Sequence, residues 1–284
     1  MPFEPTYDIP VERRPYFLPG GPVGCLMLHG FMGSPLSSHA LADYLNEHGV
    51  AMHCPLLPGH GELPHRMDGV SRRDWLQTAE EGLERIRPHV DDLFLMGHSM
   101  GTILAAHLIH KYTDIRFRGL VMLAPAYIIP DRRLAAFRLL RYVMRWFYPW
   151  DRKSMKAVVR SRLLDFDPTL DLDDPARHDW IRETSRMSTA AIDEMRKVFD
   201  YGRKTLWAKV DVPVIVFQGG HDIATTPERS QALLDILPSV DKHMQLYPEA
   251  GHELMRPFSP VHQDVWQRIL TFMQERATLP LQGP

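Results

Sequence analysis

A serine bracketed by glycines follows a short apolar run near the first third of the sequence. Residues 97–101 read Gly-His-Ser-Met-Gly, directly after Leu-Phe-Leu-Met. This pattern is typical of a nucleophile on a sharp strand-to-helix turn, where side chains at 97 and 101 would collide with the neighbouring turn. Residues 102–111 read as a buried helix, which favours this interpretation over an ordinary loop. Ser99 is therefore the predicted nucleophile.

A serine hydroxyl is a weak nucleophile at neutral pH, so it needs a base within reach and an acid that orients the base. Two downstream residues suit these roles because each follows a predicted strand. Asp222 ends a Gly-Gly-His-Asp run after the apolar residues 212–217, and His252 follows the strand-like run 243–247. Serine, acid and histidine in this order are typical of α/β-hydrolases. Asp222 is the predicted orienting acid and His252 the predicted general base.

Four motifs occur in the order expected of one enzyme family. They are His-Gly-Phe-Met-Gly-Ser-Pro at 29–35, the serine motif at 97–101, Gly-Gly-His-Asp at 219–222 and Ala-Gly-His at 250–252. On these motifs the chain resembles the α/β-hydrolase superfamily and, within it, bacterial monoacylglycerol lipases and related carboxylesterases. The resemblance implies that the backbone amides of Phe31 and Met100 bind the oxyanion, where one such donor contributes about 3 to 4 kcal/mol.

The implied fold is an α/β-hydrolase fold: a mostly parallel sheet flanked by helices, with a helical cap inserted after strand 6. We expect the core at 1–126 and 188–284 and the cap at 127–187, with the edge strands or a reduced hairpin in the first 22 residues. The alternation of apolar runs and amphipathic runs predicts the individual elements. Strands are predicted near 23–29, 50–56, 92–97, 118–125, 212–218 and 242–247, and helices near 36–48, 71–87, 100–111, 188–207, 226–237 and 259–276. Ser71 with Asp74 predicts a capping box at the second helix.

The predicted cap has an unusual charge distribution. Residues 131–162 carry ten basic and two acidic residues interleaved with aromatics, whereas 163–184 carry seven acidic residues and two arginines. Apolar residues recur at three- and four-residue steps from Leu134 to Phe147, which predicts a basic amphipathic helix with Arg138, Arg141 and Arg145 on its other face. One interpretation is that the apolar face roofs an acyl pocket while the arginines face water or pair with the acidic half. The other is that segment 132–162 docks on anionic membranes.

The chain departs from close relatives in two places, the turn at Ser99 and the cap. Thr102 stands where those relatives often carry a second glycine, and the long basic cap leaves substrate size open. His29 and His60 are expected to shape their loops, and His98 and His221 to frame the site. The fifteen histidines show no metal-ligand spacing, so no metal and no cofactor are implied.

Composition indicates one enzyme domain. The chain has 284 residues, 44% of them hydrophobic, and a formal net charge of −2, which gives no reason to expect a nucleic-acid partner. No apolar run is long enough to span a bilayer and residues 1–20 lack a signal-peptide core, so a cytoplasmic location is expected. Cys25 and Cys54 are expected to be buried apolar residues rather than a disulfide. The oligomeric state stays open.

The predicted reaction is acyl transfer from a small-molecule ester to water through a covalent intermediate on Ser99. Monoacylglycerol or a similar medium- or long-chain lipid ester is the leading substrate. Short-chain carboxylesterase, lysophospholipase, peptidase and acyltransferase activities remain open because the shape of the cap sets them. A non-catalytic ligand receptor on the same fold is the alternative from another class, since a fold alone does not fix function.

Overall fold

The structure, a computed structural model, describes residues 9–128, 132–166 and 169–281. Residues 1–8 of the predicted core, 129–131 and 167–168 of the predicted cap, and 282–284 lie outside the described residues. The described strands are β1 Tyr16–Leu18, β2 Val23–Leu28, β3 Val50–Cys54, β4 Asp92–His98, β5 Phe117–Leu123, β6 Trp146–Phe147, β7 Met187–Ser188, β8 Val214–Gly219 and β9 Lys242–Tyr247. The described α-helices are α1 His39–Glu47, α2 Arg72–Ile86, α3 Met100–Lys111, α4 Phe137–Leu140, α5 Lys156–Phe166, α6 His178–Thr184, α7 Thr189–Tyr201, α8 Pro227–Ile236 and α9 His262–Arg276.

A seven-stranded sheet organises the chain in the order β1-β3-β2-β4-β5-β8-β9. The pairs from β3 to β9 are parallel, and β1 is antiparallel to β3 at one edge. The predicted mostly parallel sheet is therefore confirmed. Because parallel strands end at the same edge of a sheet, the loops after β2, β4, β8 and β9 meet there, and this is where ligands bind in open α/β sheets.

Helices cover both faces of this sheet. Buried side chains of α2, α3 and α8 pack on one face, with Trp75 of α2 fully buried among them. Buried side chains of α1 and α9 pack on the other face, together with Phe94 of β4. Strands buried on both sides explain why β2, β4 and β8 are continuous apolar runs rather than alternating ones.

Local signals set several element boundaries. The carboxylate of Asp74 accepts a hydrogen bond from the backbone N–H of Ser71 at 2.7 Å, which confirms the predicted capping box at α2. Cys25 and Cys54 are buried and free, as predicted. No helix among the described residues is long and apolar enough to cross a membrane.

The segment between β5 and α7 differs from expectation in the described residues. It follows the fifth described strand, since β1 alone precedes β2 there, whereas the cap was expected after strand 6 of the fold. The predicted amphipathic helix from Leu134 to Phe147 is wrong: a 3-10 turn leads into the four-residue α4, and β6 then pairs antiparallel with β7. The aromatic residues of β6 favour a strand, and the hydroxyl of Thr189 donates to the carbonyl of Met144, which takes the place of a further helical turn.

Most of the arginines expected on the polar helix face have carboxylate partners. Arg141 lies 2.7 Å from the buried Asp193 of α7 and 3.1 Å from Glu194, and Arg145 lies 2.6 Å from Asp68. These partners lie in α7 and in the core rather than in the acidic half of the segment. Two further ion pairs do join the basic and acidic halves, Arg160 with Asp173 and Arg182 with Asp151.

Candidate active site

Ser99 sits on a strained turn between β4 and α3. Its backbone has φ 52° and ψ −118°, a conformation that a non-glycine residue rarely adopts and that functional sites commonly preserve. The turn is also tightly packed. A Cβ on Gly101 would lie 1.9 Å from the carbonyl oxygen of Leu28, and one on Gly97 would lie 2.5 Å from the backbone nitrogen of Thr102. The two glycines are therefore required by the close approach of the backbone, as the motif predicts.

Thr102 holds the turn from the inside. Its hydroxyl donates to the carbonyl oxygen of Ser99 at 2.7 Å and accepts from the backbone N–H of Ala126 at 3.3 Å. Ala126 belongs to the loop after β5, so one buried side chain ties the serine turn to the neighbouring strand end. This contact gives a structural reason for a threonine at position 102.

Asp222 and His252 lie in contact in the loops after β8 and β9. Nδ1 of His252 donates to Oδ2 of Asp222 at 2.7 Å, and the hydroxyl of Thr225 donates to the same oxygen at 2.7 Å. The other carboxylate oxygen accepts the backbone N–H groups of Ala224 and Thr225. Burial raises the pKa of Asp222, but the hydrogen bonds from His252 and Thr225 outweigh it and hold the pKa below its usual range. The carboxylate is thus ionised and its oxygens are fixed.

Sequence reasoning missed Thr225. The signal was present, because a threonine three residues after an aspartate can close a local turn with its own hydroxyl and amide. The buried Gln218, also missed, donates to the carbonyl oxygen of Thr225 at 2.6 Å and accepts from Ser230. The loop after β8 that carries Asp222, the acid loop, is therefore fixed through both side-chain and backbone contacts.

The acid loop and the loop after β9 that carries His252, the base loop, are hydrogen-bonded to each other through their backbones. Gly220 N–H donates to the carbonyl oxygen of Tyr247 at 2.8 Å, and His221 N–H donates to that of Ala250 at 2.9 Å. A Cβ on Gly219 would lie 2.2 Å from the carbonyl oxygen of Gly251. The Gly-Gly pair before His221 is therefore needed to let the two loops touch, and the contact fixes Asp222 relative to His252.

The serine turn and the base loop also meet. His98, the residue before Ser99, has Nε2 3.2 Å from the carbonyl oxygen of His252, and the two imidazole rings are 4.8 Å apart. A Cβ on Gly30 would lie 3.2 Å from the Cβ of Ser99. The structure thus brings all four sequence motifs to one edge of the sheet.

The loop after β2 carries the first predicted oxyanion donor. Phe31 is half-buried, Met32 has a positive φ of 62°, and Gly33 N–H closes the turn onto the carbonyl oxygen of Gly30 at 3.0 Å. Met100, the second predicted donor, is the buried first residue of α3, where backbone N–H groups lack helical partners. Met100 directly follows Ser99 in α3, and Phe31 directly follows Gly30, where a Cβ would lie 3.2 Å from the Cβ of Ser99.

His29 fixes this loop, as expected. Leu57 N–H donates to its Nε2 at 3.1 Å, so Nδ1 carries the proton and donates to the carbonyl oxygen of Gly30 at 3.0 Å. Burial lowers the pKa of His29 to about 3, which keeps the ring neutral. His60 packs 5.2 Å from the His29 ring and lies 3.0 Å from the carbonyl oxygen of Pro58. Both histidines therefore hold loops.

A cavity of about 100 Å³ lies between the loop at Met32 and the inserted segment. Its walls include Met32, Leu36, Leu63, Met67, Met155, Val159, Leu163 and Met187, and its polar lining residues include Arg13, Ser34, Ser37, His60, Glu62 and Arg256. Apolar and polar side chains thus both line the cavity. Ser99, Asp222 and His252 are not among its lining residues, and Met32 links it to the loop that carries Phe31. Phe137 and Phe147 of the inserted segment pack together with Phe31 and Met32 close by.

An α/β-hydrolase fold with a serine on the strand-to-helix turn, and an aspartate and histidine after later strands, defines a serine hydrolase. A family model described as Serine aminopeptidase, S33 matches residues 24–257, and the chain belongs to this family. The resemblance to α/β-hydrolases is therefore confirmed.

The chain is also similar to named relatives and to a solved structure. The chain is 25% identical to a carboxylesterase of Bacillus subtilis over 260 residues, covering 90% of this chain and 96% of the relative. It is 33% identical to a thermostable monoacylglycerol lipase of Bacillus sp. over 124 residues, covering 44% of this chain and 49% of that relative. The crystal structure of Paleococcus ferrophilus monoacylglycerol lipase matches with a TM-score of 0.69 at 18% identity, covering 93% and 98% of the two chains.

Proposed function

We propose that this protein hydrolyses carboxylic esters through an acyl-enzyme, and that its substrates are monoacylglycerols or similar medium- or long-chain lipid esters. Ser99 attacks the ester carbonyl while His252 takes its proton, and Asp222 holds and stabilises the resulting imidazolium. The amides of Phe31 and Met100 bind the oxyanion. His252 then protonates the departing alcohol, and a water molecule activated by the same imidazole releases the acid.

The observation that carries the lipid-ester proposal is the mixed apolar and polar lining of the cavity next to the loop at Met32. An acyl chain buries its surface against the methionine and leucine wall, at about 0.8 kcal/mol for each CH₂ group. The polar lining residues, among them Arg13, Arg256 and Glu62, the last of which is paired with Arg66, suit a hydroxylated alcohol such as glycerol. The named carboxylesterase and monoacylglycerol lipase relatives support the same class.

The test measures kcat/KM for glycerol monoesters from acetyl to stearoyl, with Ser99→Ala as the blank. A maximum at medium or long chains supports the lipid-ester proposal. A maximum at acetyl or butyryl identifies a short-chain carboxylesterase instead. An aminoacyl p-nitroanilide belongs in the same series because the family is described as a serine aminopeptidase. Tight ligand binding without Ser99-dependent turnover of any substrate would favour the receptor alternative.

The cavity wall provides a matched pair of variants for this test. Leu163→Trp fills the apolar wall and is expected to lower kcat/KM for long-chain esters by about tenfold while acetyl esters change little, since volume is removed where the chain would lie. Leu164→Trp, one residue further along α5 and exposed, is the control. Equal effects on long and short esters would contradict an acyl site in this cavity.

The inserted segment also offers a surface for lipid contact, and we propose that it docks on anionic membranes. Leu139 of α4 and Tyr142 and Val143 of the turn that follows it are between 69% and 82% exposed, beside the exposed Arg138. Exposed apolar residues grouped with basic ones are typical of interfacial segments. The expected result is flotation with anionic vesicles in preference to neutral ones, reduced in Val143→Asp. Equal binding to both vesicle types would rule out the proposal.

A further inference from the structure

We infer that His98 is a positioning residue that holds the catalytic base, His252, relative to the nucleophile next to it in the chain. The inference rests on the proposed function of Ser99 and His252. No motif assigns His98 this role: the sequence pattern requires a serine with glycines around it and leaves the residue at 98 open.

The contact between His98 and His252 has a definite direction. A carbonyl oxygen can only accept, so Nε2 of His98 carries the proton and donates to the carbonyl oxygen of His252 at 3.2 Å. The ring planes are tilted by 48° with their centroids 4.8 Å apart, so the base is contacted at its backbone and at its ring. His98 itself is 5% exposed and ends β4, whose neighbours on both sides are parallel strands.

The base loop needs such support at this point. Hydrogen bonds from Gly220 and His221 to Tyr247 and Ala250 anchor the loop before His252. Gly251 is exposed, and a Cβ built there would meet no atom within 4 Å. The loop is therefore open on one side of Gly251, and His98 holds the next residue from the sheet side.

The His98 contact connects the base directly to the residue that precedes the nucleophile. Asp222 fixes the orientation of the His252 ring through Nδ1, and it lies after β8, which β5 separates from the β4 strand that leads to Ser99. His98 is covalently bonded to Ser99, so its hydrogen bond to the backbone of His252 fixes the position of His252 relative to the serine turn. Misplacing a catalytic group by about 1 Å costs on the order of a hundredfold in rate. Loss of this contact should therefore reduce kcat and leave substrate binding unchanged.

The test compares His98→Leu, which removes the donor, with His98→Gln, whose side-chain amide keeps a donor near the position of Nε2. His110→Leu, at the far end of α3, is the control for replacing a histidine. We expect kcat of His98→Leu with a p-nitrophenyl ester to fall about tenfold to a hundredfold with KM within about twofold. We expect His98→Gln to recover most of that loss, and thermal unfolding to show that each variant is folded.

A second readout does not depend on ester hydrolysis. The proton between His252 and Asp222 is expected at low field in the proton NMR spectrum, assigned by its loss in His252→Gln. In His98→Leu the signal should broaden or vanish through exchange with water, and in His98→Gln it should persist. An unchanged signal in a folded His98→Leu protein would overturn the inference, as would equal kcat in the Leu and Gln variants. Loss of the signal in a protein that hydrolyses no ester would support the His98 contact and count against the proposed function instead.

Discussion

The carboxylate of Asp222 accepts Nδ1–H of His252 at 2.7 Å across a chain separation of thirty residues. Two loops from adjacent parallel strands make this contact, and their backbones are hydrogen-bonded to each other on the way to it. The pair therefore rests on the sheet rather than on the two side chains alone. Because a buried carboxylate fixes the imidazole with Nδ1 protonated, Nε2 is left free to accept the proton of a nucleophile.

Ser99 and His252 should behave as one catalytic unit. Ser99→Ala and His252→Ala are each expected to lower kcat for ester hydrolysis by about a millionfold, and the double variant should lose little more. Steady-state kinetics on a single ester checks this, with each variant purified free of wild-type enzyme. Additive losses in the double variant would contradict the assignment. Asp222→Asn should cost on the order of ten-thousandfold because the wrong tautomer is stabilised.

Thr225→Val tests how the acid is held ionised. The Thr225 hydroxyl helps to keep the pKa of Asp222 low, so the stability it contributes is present above the ordinary pKa of an aspartate and is lost as pH falls through the folded value. We expect the free energy of unfolding to fall by about 1 to 2 kcal/mol at pH 7 and by less near pH 3. Urea unfolding at both pH values measures this, with the exposed Thr271→Val as control.

Glycine-to-alanine variants separate a packed turn from an open one. In Gly101→Ala the new Cβ would overlap the carbonyl oxygen of Leu28 at 1.9 Å, so β2 and α3 must move apart. We expect a loss of at least about 4 kcal/mol and a fall in Tm of roughly 10 °C or more. Gly251→Ala meets no neighbouring atom within 4 Å and should change stability by about 0.5 kcal/mol or less. Comparable Tm values for the two variants would contradict this packing.

The parts predicted well from sequence are those where a local pattern and the tertiary environment agree. The apolar runs of β2, β4 and β8 are buried on both faces, so every residue carries the signal, and α3 matches the predicted 100–111 closely. The serine, acid and histidine positions followed from strand ends, because parallel strands deliver their loops to one edge.

The inserted segment was predicted poorly because its pattern is ambiguous. Apolar residues at 134, 137, 140, 144 and 147 fit a helix, yet the chain turns at 141–144 and pairs Trp146 with Ser188. That pairing and the ion pair from Arg141 to Asp193 are made with residues more than 40 positions away in the chain. A local pattern of apolar residues cannot predict such contacts. Thr225 was likewise not predicted as a supporting residue, and the expected framing role of His98 had no partner until the structure placed it beside His252.

Arg141 anchors the inserted segment to α7, and its loss should be costly. The Asp193 side chain is fully buried and forms ion pairs with Arg141, Arg196 and Lys197. We expect Arg141→Met to lower the free energy of unfolding by about 1 to 3 kcal/mol, because a buried carboxylate loses one of three cationic partners. The Arg145 pair with Asp68 is largely exposed, so Arg145→Met should cost at most about 1 kcal/mol. Urea unfolding gives both values, and an equal cost would argue against Arg141 as an anchor.

Buried histidines should make the fold sensitive to acid. Burial lowers the pKa of His29 to about 3 and that of His53 to about 4, whereas in the unfolded chain each titrates near 6.5. The unfolded state therefore binds more protons between these values, and the free energy of unfolding falls as pH drops from about 6.5 towards 4. Each histidine contributes up to about 1.4 kcal/mol per pH unit in this window. His53→Asn, which can keep the hydrogen bond to the carbonyl oxygen of Tyr16, should reduce that slope by up to this amount in urea unfolding from pH 7 to pH 4.5. A slope identical to wild type would mean that His53 is already protonated in the folded protein.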